Sequence, residues 1–180
     1  MTIILALDLA TTTGFAVGEP GAVPYHGSIR FAKAGASHEA IFARAAQWMN
    51  GLLVAHAPSL VVWEAPMPTS FSRGRTTSDT TTILHGLPAV IGAVAYLKGI
   101  FDIRKAETRA VRNHFIGCNP KRAKAKPMVI RQCRAMGWDV VDDNAADACA
   151  LWHYMCALIE PKLAIAPTPL FGRGFSKGLR

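Results

Sequence analysis

Features of export, disulfide bonding and membrane insertion are missing from this chain. Its four cysteines, Cys118, Cys133, Cys149 and Cys156, show no C-x-x-C spacing, which leaves no paired-cysteine framework for a disulfide scaffold or a zinc motif. Cys149 and His153 stand one helical turn apart, but zinc needs two further ligands and no neighbouring motif supplies them. No run approaches the ~18 uninterrupted apolar residues of a membrane span. The N-terminus has neither a basic leading region nor a small-residue cleavage site, and runs straight into a strand pattern. The expectation is a soluble cytoplasmic protein. Acidic residues are also scarce, 12 against 20 Lys and Arg, so each carboxylate carries more information than usual.

About half of the 180 residues are apolar, 51%, enough for a substantial core without staples. The net charge of +8 is unevenly placed. Residues 1–65 and 138–180 each carry one more acidic than basic side chain, whereas residues 66–137 carry thirteen basic against three acidic. One concentrated basic block is the pattern of a polyanion-binding face.

Thr2 to Asp8 is a near-continuous apolar run ending in a carboxylate, as in a strand buried on both faces. Thr11 to Gly14 reads as turn chemistry, Phe15 to Gly18 as a short strand, and His26 to Phe31 as a third. Ser37 is a good N-cap with Glu39 in the first turn, and Ile41, Phe42, Ala45, Trp48, Met49 and Leu52 recur at helical spacing to about Ala55. Leu60 to Glu64 is a second buried strand ending in a carboxylate, followed by a loop over Pro66 to Arg75. An apolar helix runs from Thr80 to Lys98 with Pro88 inside it or near its start. A strand fits Phe101 to Arg104 and a short helix Glu107 to Phe115. Pro127 suits the first position of a helix reaching about Met136, and Asp142 or Asp143 caps a last helix over Asn144 to Leu158. Residues 1–160 thus form one domain and 161–180 a basic, Pro/Gly-rich, loosely ordered tail. The order β-β-β-α-β-α-β-α is α/β, with helices covering a mixed sheet.

Asp8 and Glu64 both end apolar strands, where ligands collect in open α/β sheets. Neighbouring strands would bring them together, with Asp147, one turn into the last helix, able to join. Carboxylates sharing one cleft repel unless a cation lies among them, and hard oxygen donors point to magnesium or manganese. Two such ions ~3.5–4 Å apart activate water and stabilise a leaving oxygen in phosphodiester hydrolysis. A lone strand-end Asp is often only a turn residue; Glu64 beside Leu60 to Trp63 is costlier to bury unpaired.

The stretches Leu5-Ala6-Leu7-Asp8 with Thr13-Gly14-Phe15-Ala16, Val61-Val62-Trp63-Glu64, and Asn144-Ala145-Ala146-Asp147-Ala148 resemble, in order and spacing, the three acidic motifs of RuvC-type crossover-junction endodeoxyribonucleases, most closely the phage-borne branch. The resemblance covers roughly residues 3–157. It implies a ribonuclease-H-like fold, a homodimer, and magnesium-dependent cutting of four-way DNA junctions, with Asp8, Glu64 and Asp147 as metal-binding catalytic carboxylates. Where the family often has Asp or His three residues before the last Asp, this chain has Asn144, which offers an amide oxygen without charge. Asp143 could substitute if the helix starts early.

The basic block supplies candidate DNA contacts. Arg73 and Arg75 follow Glu64; Arg104, Lys105, Arg109 and Arg112 follow the next strand; Lys121, Arg122, Lys124 and Lys126 precede Pro127, whose helix start could itself hold a phosphate. Lys126-Pro127-Met128-Val129 resembles the family's Lys-x-x-Val stretch, and Arg112 its upstream basic residue. Such contacts position DNA without reading its sequence. Met67 or Phe71 corresponds to the family's aromatic wedge. The helix around Leu84, Leu87, Val90, Ile91 and Val94 either offers a face to a twin subunit or is wholly buried. Two other readings stand beside the nuclease: a non-catalytic branched-DNA-binding module, and an actin-like ATPase, whose phosphate loop resembles Asp8 to Thr12 but which needs a second domain.

Overall fold

Ile4 to Leu7 and Leu60 to Trp63 are apolar at every position, and a strand of that kind is stable only when both its faces are covered. The computed structural model, which describes residues 2–65 and 78–162, covers both. In chain order the elements are β1 (Ile4–Asp8), β2 (Thr12–Gly18), β3 (Tyr25–Arg30), α1 (His38–His56), β4 (Leu60–Glu64), α2 (Ser78–Leu97), β5 (Asp102–Ala106), α3 (Thr108–Ile116), α4 (Arg122–Ala135) and α5 (Asp143–Ile159). The strands form one sheet in the order β3-β2-β1-β4-β5. The first three make an antiparallel meander, and β4 and β5 join in parallel.

Strand alternation divides the apolar residues between two cores. Ile4, Ala6, Leu60 and Val62 face α3, α4 and α5. Leu5, Leu7, Val61 and Trp63 face α1 and α2. Within α5, Ala145, Ala146, Ala148 and Ala150 are buried, and these short side chains let the helix lie close on the sheet. Asp142 caps it by accepting from the Ala145 amide at 2.8 Å, and Ser28 of β3 donates to the other Asp142 oxygen at 2.6 Å. The last helix is therefore tied to the meander at its first turn.

Several boundaries differ from those the sequence suggests. Thr12, Thr13 and Gly14 belong to β2, not to a turn; Thr13 is buried and its hydroxyl donates to the Ala10 carbonyl at 2.8 Å, closing the tight connection from the strand side. Helix α4 begins at Arg122 and carries Pro127 within it, not at its first position. Burial of Ala125, Val129 and Cys133 along one face outweighs the backbone amide that Pro127 cannot donate. Helix α2 is not a buried core helix: only Leu87, Ile91 and Ala95 are buried, against α1 and the Trp63 ring. By length and composition it is also apolar enough to cross a membrane, a feature that counting uninterrupted apolar runs misses. Beyond α5, Pro161 and Lys162 form a turn, and the rest of the tail lies outside the described residues.

Gly14 is the tightest point of the assembly. A Cβ there would sit 1.9 Å from the Asn144 carbonyl oxygen, inside the first turn of α5. Gly14→Ala must therefore lift the start of α5 off β2. The expected loss is about 1–3 kcal/mol, the range for overpacking, read by denaturant or thermal unfolding.

Candidate active site

Asp8 and Glu64 are one step beyond the paired residues Leu7 and Trp63 of adjacent parallel strands. By alternation both carboxylates turn to the same side as Ile4, Ala6, Leu60 and Val62, the side covered by α5. Asp147, on the second turn of α5, comes down onto them. All three are half-buried, and their charges act on one another. Burial, Glu64 and Asp147 together push Asp8 up to about 7. Burial and Glu64 raise Asp147 to about 6. Burial raises Glu64 as well, against a hydrogen bond from Thr108 and the charges of Arg112 and Arg122.

Of the basic candidates, three act on this cluster: Arg112 from α3, and Arg122 and Lys126 one turn apart on α4. Lys105, Arg109, Lys121 and Lys124 are exposed, and Lys105, paired with Trp63, turns to the other face of the sheet. Arg104 is taken up by Asp102 on the outer strand at 2.7 Å. Arg73 and Arg75, with Met67 and Phe71, lie outside the described residues.

Both fourth-ligand candidates are engaged elsewhere. Asp143 is ion-paired with Lys126, and the Asn144 amide hydrogen-bonds to Asp142. Among the described residues, no three His, Cys, Asp or Glu side chains close around one point at ligand distance. The donor chemistry nevertheless fits a hard divalent cation: three carboxylates, partly desolvated and mutually repelling, are relieved by positive charge. The zinc alternative finds no support in the surroundings of Cys149, whose thiol meets Cys133, or of His153, whose ring meets His114 at 2.9 Å.

Two features here escape sequence reasoning. Thr108 donates to Glu64 Oε2 at 2.8 Å, and a threonine opening a helix gives no sign that it reaches a neighbouring strand. The His114–His153 contact ties α3 to α5 and is equally unmarked, since the two residues are 39 apart in the chain.

Solved structures similar to the chain include the following three. Thermus thermophilus RuvC in complex with a Holliday junction substrate matches with a TM-score of 0.63 and 13% identity, over 84% of this chain and 90% of that one. A second Thermus thermophilus RuvC structure gives 0.60 and 14%, over 83% and 90%. The yeast mitochondrial Holliday junction resolvase Ydc2 gives 0.60 and 11%, over 86% and 78%. The fold is that of the RuvC resolvases. No family model matches the sequence, and no curated protein does. The ribonuclease-H-like α/β architecture expected from the three acidic motifs is thus the observed one.

The raised carboxylates set a pH dependence of stability. A carboxyl whose folded pKa lies above its unfolded value contributes fully below the unfolded value and loses that contribution as pH rises through the folded one. For Asp8 and Asp147 the window runs from the ordinary value of 3.8 to about 7 and about 6 respectively. Chelator-treated protein should therefore lose stability as pH rises from about 4 to about 7, and millimolar magnesium should flatten that decline. Thermal melts across pH with chelator or with magnesium check this.

Proposed function

We propose that this chain is a divalent-metal-dependent endodeoxyribonuclease acting on branched DNA, with the four-way junction as its substrate. The observation that carries the reading is the cluster of Asp8, Glu64 and Asp147, all three pushed above the ordinary carboxylate range by burial and, for Asp8 and Asp147, by neighbouring carboxylate charge, with Arg112, Arg122 and Lys126 acting on it. Its support outside the chain is the RuvC likeness, including a neighbour held with a Holliday junction substrate.

On this reading Asp8, Glu64 and Asp147 hold magnesium or manganese, two ions per site. Bound there, the ions would activate a water and stabilise the leaving oxygen of a phosphodiester. Arg112, Arg122 and Lys126 grip phosphates flanking the scissile bond, while Arg109, Lys121 and Lys124 extend the positive surface along the backbone. Arg73 and Arg75, which follow Glu64 in the sequence and lie outside the described residues, belong to the same proposed set. Lys126 has a second task, since its pairing with Asp143 restrains it beside the carboxylates. Asn144 or Asp143 completes the ligand set by turning from its present partner.

The engagement of those two side chains also favours a second reading, a branched-DNA-binding module that does not cut. One variant separates them. In Asp8→Asn, cleavage of a synthetic four-way junction in magnesium should fall by on the order of 10²–10³-fold or more, as when charge stabilisation at a reacting centre is removed, while junction binding persists. Undiminished cleavage in Asp8→Asn overturns the mechanism. A wild type that binds junctions without cutting them, or cuts flaps and forks instead, moves the assignment to the module or to those substrates.

A homodimer belongs to the same proposal. Helix α2 leaves Leu84, Tyr96 and Leu97 exposed, and Phe101 packs edge-on against Tyr96 at 4.9 Å. A two-fold interface along this helix would set two sites on a two-fold junction. Changing Tyr96→Glu and Leu97→Glu together should convert a dimer to a monomer in light scattering without lowering the melting temperature of the subunit.

A further inference from the structure

Thr108 is the first residue of α3, and its hydroxyl does not cap the helix: the N-cap is Glu107, which makes no side-chain capping bond. The hydroxyl instead reaches across to β4 and donates to Glu64 Oε2 at 2.8 Å. No other donor to Glu64 exists among the described residues; Arg112 and Arg122 act on it through charge alone. One Glu64 oxygen is thus held from α3, and among the described residues Oε1 has no donor.

The platform that holds the hydroxyl is rigid. Val111 and Phe115 are buried in the core, and His114 meets His153 of α5 at 2.9 Å. The Ala65 amide donates to the Ala106 carbonyl at 2.8 Å, clamping the end of β4 to the end of β5 just before α3 begins. Threonine is itself stiff about χ1. The long Glu64 side chain, otherwise free to turn, is fixed at its tip.

Resting on the metal-dependent reading above, we propose that Thr108 is a positioning residue for Glu64: it occupies one carboxylate oxygen, leaves the other for a divalent cation, and so makes the site select magnesium over calcium. Magnesium demands near-ideal octahedral geometry and takes carboxylates through one oxygen, whereas calcium accommodates six to eight ligands and readily takes both. A carboxylate with one oxygen held by a neighbouring hydroxyl suits the first ion and denies the second its two-oxygen grip. Groups that orient ligands in this way typically account for about 10–100-fold in metal affinity.

The test is calorimetric titration of the full-length protein with magnesium and, separately, calcium, without DNA. Thr108→Val removes the hydroxyl at nearly constant volume, and Thr108→Ser keeps it. Thr108→Val should bind magnesium about tenfold more weakly with calcium affinity equal to or above that of the wild type, so that the preference narrows by at least that factor. Thr108→Ser should keep the wild-type preference. If Thr108→Val melts early, Thr108→Ala takes its place in the same comparison. Equal weakening for both cations, or no change for either, overturns the proposal. A wild type that binds neither cation overturns the metal-dependent reading beneath it, and junction cutting measured in parallel judges that reading separately.

Discussion

The arrangement turns on the repulsion among three carboxylates held partly out of water at the end of β1 and β4. Left alone, such groups recover protons: burial first, and the charges of Glu64 and Asp147 after it, raise Asp8 to about 7. What keeps them together is apolar. Ile4 to Leu7 and Leu60 to Trp63 are buried on both faces, so the ends of the two strands cannot separate to relieve the charge. The fold spends part of its hydrophobic stabilisation on a locally unfavourable cluster.

The third carboxylate depends on how closely α5 approaches the sheet. Alanines along its buried face, the missing side chain at Gly14, the Ser28–Asp142 hydrogen bond and the Asp142 cap all act at its first turns. None concerns the carboxylates directly, yet together they set the height of Asp147 over Asp8 and Glu64. Helices α3 and α4 complete the surroundings. Each places basic residues on the side facing the acids and apolar ones, Val111 and Phe115 or Ala125, Val129 and Cys133, in the core. The amphipathic pattern that folds these helices is also what aims Arg112, Arg122 and Lys126.

Much of this was legible because the signals were local. A run of apolar residues ending in an acid implies a buried strand and a strand-end carboxylate, and Asp8 and Glu64 need nothing more. The Ser37 cap is equally local and is observed, its hydroxyl accepting from the Ala40 amide. The reading faltered where tertiary packing overrode a local rule. Pro127 indicates a helix start, but the core contacts of Ala125, Val129 and Cys133 carry α4 back to Arg122. The glycine and threonines after Asp8 suggest a turn, but pairing of Thr12 and Thr13 with β3 makes them strand. For α2 the apolar composition left two readings open, a helix with one face for a twin subunit or one wholly buried, and burial of only Leu87, Ile91 and Ala95 rules out the second.

By itself the sequence determined which segments are buried strands, where the acids end them, and that positive charge gathers in the middle third of the chain, because each follows from neighbours a few residues apart. Only the tertiary structure decided what those groups meet. Thr108 reaches Glu64 across 44 positions, His114 meets His153 across 39, and Asp143 turns to Lys126 in place of the carboxylates. Such pairs share no local pattern. They exist because helices packed on one face of a sheet bring distant residues within hydrogen-bond reach, and that closeness is a property of the packing.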